Sequence, residues 1–200
     1  MNRFEKALAL INDIKLEPFD SNSGNCIQHA LVARDFLRAV SFRAEVKSVA
    51  VYVEALQDDQ LLHSVGCGPL SLTGRDPNPE KDGWNGHLVT VSEGYLIDPT
   101  FYQFRRKAWD WIPDIARVKL IPAGQRERFT FFGTKKGRPI LAAVTGEHDN
   151  GYRFRALWMN TPTNTEWVRL PAARLDRRDF IVEEMVEAWK AHEKISDNHA

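Results

Sequence analysis

Hydrophobic periodicity along the chain predicts an α+β protein, with helices first, an antiparallel β-sheet after them and a closing helix. Three observations carry this expectation. Apolar residues recur at helical spacing up to about Val40, alternation typical of strands starts at Ala44 and recurs as far as Met159, and helical spacing returns from about Asp176.

In the first helix Phe4, Ala7, Leu8, Ile11 and Ile14 line one face, Asn2 and Glu5 have the spacing of a capping box, and Pro18 ends the element. After the polar turn cluster Ser21–Asn25 a second helix is expected from about Cys26 to about Val40, with Ile27, Ala30, Leu31, Leu37 and Val40 as its apolar stripe. Asn25 is expected to cap it, which sets Cys26 in the first turn. Ala44–Leu56 alternates as a strand, and residues 57–86, rich in Gly, Pro, Asp and Asn, read as loop. His87–Ser92 and Tyr95–Asp98 form a hairpin around Glu93-Gly94. Further strands are expected at Ile115–Ile121, Arg128–Phe132, Pro139–Val144 and Tyr152–Met159, the last two joined as a hairpin by TGEHDNG. The final helix carries Ile181, Val182, Met185 and Trp189, and the tail Ile195–Ala200 reads as disordered.

The chain has 200 residues, 43% hydrophobic and 27% charged, which suits one domain able to bury a core without staples. Lys plus Arg equals Asp plus Glu, 27 each, so the charge balance gives no argument for nucleic acid or an acidic membrane, and neither is expected as a partner. No apolar run approaches the ~18 residues that span a bilayer. The charged N-terminal stretch does not resemble a signal peptide, so the expected compartment is the cytoplasm, where two cysteines, Cys26 and Cys67, stay reduced.

Cysteine reacts as the thiolate, which is favoured at a helix N-terminus or beside a histidine. Cys26 sits where a helix begins, so free N–H groups and the positive end of the helix dipole face its sulfur and would also face an oxyanion. On its own, such a cysteine is more often a small packed residue. The hairpin supplies the second part. With Glu93 and Gly94 as the turn, Ser92 faces Tyr95, Val89 faces Asp98 and His87 faces Thr100, so His87, Val89, Asp98 and Thr100 project from one face. His87 and Asp98 are then diagonal neighbours, ~7–8 Å apart at the backbone. A carboxylate there holds one imidazole nitrogen and leaves the other for a thiol. A one-residue slip in register would turn Asp98 to the opposite face.

The stretch SGNCIQHALVARDFLRAVSFRAEVKSV, through Gly24, Cys26, Ala30–Leu37, Phe42 and Val46–Val53, resembles the nucleophile segment of transglutaminase-like and arylamine-acetyltransferase-like proteins, which share the papain-like fold. GHLVTVSEGYLIDPTF resembles their His-then-Asp hairpin in His87, Asp98, Pro99 and Thr100. The resemblance covers about residues 20–105 and leaves 106–200 unassigned. It implies a papain-like/transglutaminase-like core with N-terminal helices packed on an antiparallel sheet. Cys26 would be the nucleophile, His87 the general base and then acid, and Asp98 the orienting carboxylate of a cysteine-dependent acyl-transfer enzyme. Two departures stand out. Ile27 follows the cysteine where many transglutaminase-like members have an aromatic residue, and no glutamine precedes Cys26 to hold an oxyanion. Asn22, Asn25, Trp84 or backbone N–H groups would have to serve.

Other readings of these residues remain open. Trp84 either covers the His–Asp bond, lines a substrate groove or is a loop aromatic. His29 is a packed or solvent-facing histidine on the face of Cys26, and Cys67 a bystander or pocket-wall residue. Trp109, Trp111, Phe131 and Phe132 read as core or sheet packing, and Lys135–Arg138 as a solvated turn. Three functions follow: a hydrolase or transferase acting on a peptide, protein or small acyl group with no cofactor; a catalytically inactive binding module on the same fold; and a structural protein holding zinc through Cys26, His29, His63 and Cys67. Oligomeric state is open.

Overall fold

The capping box is formed as its spacing predicts. In the computed structural model the Glu5 N–H donates to Asn2 Oδ1 at 2.8 Å and the Asn2 N–H to Glu5 Oε2 at 3.1 Å, opening helix α1 over Arg3–Asp13. The structure describes residues 2–13, 25–68, 84, 86–107, 109–129, 137–161, 165–170, 173 and 178–197. Ile14, Pro18, Asn22, Phe131 and Phe132 therefore lie outside the described residues, as do Lys135 and Lys136 of the basic segment.

Helix α2 spans Asn25–Ala39, so Asn25 is its first helical residue rather than its cap, one position earlier than expected, and Cys26 remains in the first turn. Helix α3 covers Arg178–Asp197, which corrects the expected disordered tail at residues 195–197, residues 198–200 lying outside the described residues. Among the described residues α1, α2 and α3 pack as one layer through Ala7, Leu8, Ile11, Phe36, Leu37, Met185 and Trp189.

The sheet has eight strands: β1 Ala44–Gln57, β2 Gln60–Cys67, β3 His87–Ser92, β4 Tyr95–Asp98, β5 Ala116–Lys119, β6 Arg128–Phe129, β7 Arg138–Glu147 and β8 Tyr152–Asn160. The order is β5-β4-β3-β1-β8-β7-β6, with β2 paired to β1, and every pairing is antiparallel. The α+β class is therefore observed. β2 corrects the loop expected after residue 57. It turns back from β1 at Asp58-Asp59, both with positive φ (48° and 69°), and its largely exposed side chains, Leu61 and Leu62 included, show no alternation that would mark a strand.

The inward face of the sheet collects Val49, Val51, Val53, Val89, Leu96, Val118, Phe154 and Trp158, closed over by Phe101, Phe104, Trp109 and Ile112. The Ile121 N–H donates to Leu141 O at 2.8 Å, so the segment after β5 reaches β7 and the sheet curls around this interior. Trp109 is buried in that core and Trp111 packs against it, as expected of both.

Helix α2 lies on the outward face. Leu88 packs with Ile27, Ala30 and Leu31, and the buried Thr90 hydroxyl donates to the Ala30 carbonyl at 2.7 Å. That bond ties the helix carrying Cys26 to the strand carrying His87. Replacing Thr90 by Val keeps the shape and removes the bond, so Thr90→Val is expected to lower unfolding free energy by about 1 kcal/mol in urea titration.

Candidate functional site

Strand β1 changes partner along one edge. Its residues Ala44 to Val49 pair with β3, ending at Val49↔His87, and its residues from Val51 pair with β2, ending at Val51↔Cys67. Ala50 lies at the break. Chain leaving β2 turns away at Gly68, whose φ of +98° suits glycine and where a Cβ would come within 2.8 Å of the Ala50 Cα. His87 and Cys67 thus meet end to end on the inward face, and the Cys67 thiol lies 3.4 Å from the Gly86 carbonyl that it faces as donor. The first turn of α2 comes to the same break from the outward side, which brings Cys26 near His87.

The hairpin holds the register derived from its turn. Glu93 and Gly94 have φ of 48° and 79°, and Ser92 pairs with Tyr95, Val91 with Leu96 and Thr90 with Ile97. His87 and Asp98 consequently share the inward face, both with no exposed surface, and the His87 Nε2–H donates to Asp98 Oδ2 at 2.8 Å. Three further donors surround the carboxylate. The Trp158 indole N–H reaches Oδ2 at 2.9 Å, and the Thr100 N–H and hydroxyl reach Oδ1 at 3.2 and 3.4 Å. Phe104 stands edge-on to the imidazole, with ring centroids 5.3 Å apart.

With Nε2 committed to Asp98, the second ring nitrogen, Nδ1, is buried and has no hydrogen-bond partner among the described residues. The thiols of Cys26 and Cys67 are near enough to act on the ring; this is close approach without a formed hydrogen bond. Burial, the largest single influence on His87, lowers its pKa. The charge and hydrogen bond of Asp98, with smaller contributions from the two thiols, override burial and hold the pKa well above the ordinary histidine value.

Cys26 is 6% exposed and unbridged, as is the half-buried Cys67. Around Cys26 the wall is apolar: Ile27, Ala30, Leu31 and Leu88, with Trp84, Trp167 and Leu170 packed against them. Trp84 belongs to this wall, and its Nε1–H is buried with no partner among the described residues. Trp84 is thus a partly buried loop aromatic packed against the apolar cluster around Cys26. Asn25 contributes the backbone of the first helical turn. His29 is buried in α2. His63 sits on a strand beside Trp109, centroids 6.0 Å apart, and not in the Gly-rich loop on which the zinc reading relied. Among the described residues no three His, Cys, Asp or Glu side chains group as metal ligands.

Two parts of the site were not expected. Cys67, read from sequence as a bystander or pocket-wall residue, adjoins His87 because β2 is a strand. Trp158 lies sixty positions after Asp98. The alternation Phe154, Ala156, Trp158 marks it as inward-facing, and a buried indole needs an acceptor, but nothing local names Asp98 as that acceptor.

No family model, curated protein or solved structure matches this chain. No described helix is long and apolar enough to cross a membrane.

The raised pKa of His87 links stability to pH. The folded value lies above the unfolded one, about 6.5, so the stabilisation from protonating His87 is fully present below about pH 6.5 and is lost as pH rises through the folded value. Urea midpoints measured from pH 6 upward in a Cys26→Ala, Cys67→Ala background should fall with pH, and His87→Gln should remove that part of the slope.

Proposed function

We propose that this protein is a cysteine-dependent acyl-transfer enzyme with a papain-like/transglutaminase-like core, acting in the cytoplasm on a peptide, protein or small acyl substrate. The observation that carries the reading is a buried imidazole with one nitrogen bound to a carboxylate and the other without a partner among the described residues, beside a cysteine in the first turn of a helix.

The Cys26 thiol gives its proton to His87 Nδ1, and the sulfur attacks the carbonyl carbon of an amide, isopeptide or ester. Negative charge develops on the carbonyl oxygen. The N–H groups of the first α2 turn, which a helix leaves without intrahelical partners, and the Trp84 indole N–H, without a partner among the described residues, are candidate donors to it. The imidazolium then protonates the leaving amine or alkoxide, and the C–N or C–O bond breaks to leave a Cys26 thioester. Water or an amine, deprotonated by His87, attacks the thioester carbonyl and releases the thiol. Asp98 holds the ring tautomer and offsets the imidazolium charge throughout. The absence of a formed thiol–imidazole hydrogen bond among the described residues is compatible with this chemistry, because such bonds often tighten only when substrate is bound.

Iodoacetamide labelling read by mass spectrometry tests the assignment. Near neutral pH Cys26 should be carboxamidomethylated well ahead of Cys67, and His87→Ala should abolish the preference; equal labelling of both thiols in the wild type would sink the proposal. With p-nitrophenyl acetate as the acyl donor, Cys26→Ala should remove turnover. Trp84→Phe should lower kcat by about 10²-fold with little change in Cys26 alkylation, the pattern expected of a lost oxyanion donor.

A further inference from the structure

Trp158 is fully buried on β8, and two strands, β1 and β3, separate it in the sheet order from β4, which carries Asp98. Its indole crosses the curled interior, packed against Phe101 with centroids 5.4 Å apart, and donates to Asp98 Oδ2. Oδ2 therefore receives both the indole N–H and the His87 Nε2–H, while Oδ1 receives the Thr100 N–H and hydroxyl. An indole or peptide N–H donates and cannot accept. The indole and peptide N–H groups, one on each oxygen, can only donate, whereas the Thr100 hydroxyl and an unprotonated His87 Nε2 could also accept; the carboxylate is the form that accepts all four bonds at once, with Nε2 carrying its proton.

We propose that Trp158 is a positioning residue: its indole N–H holds Asp98 as an anion with Oδ2 aimed at His87 Nε2, so that the ring keeps its second proton on the Cys26 side. The proposal rests on the acyl-transfer reading for its functional meaning, and on the geometry alone for the hydrogen bond. The titratable groups facing the ring are Asp98 from β4, Cys26 from α2 and Cys67 from β2. Losing one buried bond to a charged acceptor corresponds to a change of roughly tenfold or more in an equilibrium or rate.

The deciding variant replaces Trp158 by 3-benzothienylalanine, which keeps the bicyclic shape and puts sulfur where the N–H was. Trp158→Phe serves as a cruder companion. Two readouts are needed. The first is the 15N chemical shift of the His87 ring followed against pH. The second is the pH profile of Cys26 alkylation by iodoacetamide. In the benzothienyl variant the His87 titration should shift away from that of the wild type, and Cys26 alkylation at pH 7 should slow roughly tenfold. A His87 titration identical to wild type in that variant overturns the proposal and reduces Trp158 to core packing, even if Trp158→Phe fails to fold. A wild-type chain without preferential Cys26 labelling would instead defeat the acyl-transfer reading, and the 15N titration would still judge the role of Trp158.

Discussion

A carboxylate with no exposed surface, set inside an apolar sheet, is the constraint around which this structure is arranged. Removing such a charge from water costs several kcal/mol unless hydrogen bonds replace the lost hydration. Asp98 receives them from three places: His87 across the hairpin, Thr100 in the turn that follows β4, and Trp158 from the far side of the curled sheet. Each donor comes from a different element, so the carboxylate is satisfied only when β3, β4 and β8 are in register together. The aromatic surroundings of Phe101, Phe104 and Trp158 exclude water and strengthen every bond inside them.

The second organising feature is the break in pairing at Ala50. A continuous strand beside β1 would leave inward-facing His87 shut off from the outward helix layer. Because β2 stops at Cys67 and β3 starts at His87, the inward and outward faces meet at this point. Helix α2, fastened to β3 by Leu88 and by the Thr90–Ala30 bond, delivers Cys26 there from outside. Cys26 from one layer and His87 from the other are thereby brought near each other, the proximity on which the proposed thioester chemistry rests. The site consequently depends on strand termination as much as on side-chain identity.

Where local rules act strongly, the structure was legible in advance. The Asn2–Glu5 capping box, the α2 stripe and the Glu93-Gly94 turn each rest on contacts between near neighbours. Register follows from that turn because side-chain period is two, and this sets His87 and Asp98 on one face. β2 escaped notice because an edge strand with exposed Leu61 and Leu62 carries no alternation, and its Asp58-Asp59 turn lacks the glycine that usually marks one. The helix running to Asp197 escaped for a related reason: its polar last turns look like a tail when read alone, although Met185 and Trp189 anchor the element to α1 and α2.

By itself the amino-acid sequence determined the α+β class, the start of the helix that bears Cys26 and the shared face of His87 and Asp98, because each depends on interactions a few residues long. Tertiary structure alone decided that Trp158 completes the carboxylate's shell, that Cys67 lies beside the imidazole and that Cys26 reaches the same point through a gap in the sheet. These are meetings between segments far apart in the chain, set by how the sheet curls and where its strands stop. No local propensity or spacing encodes them.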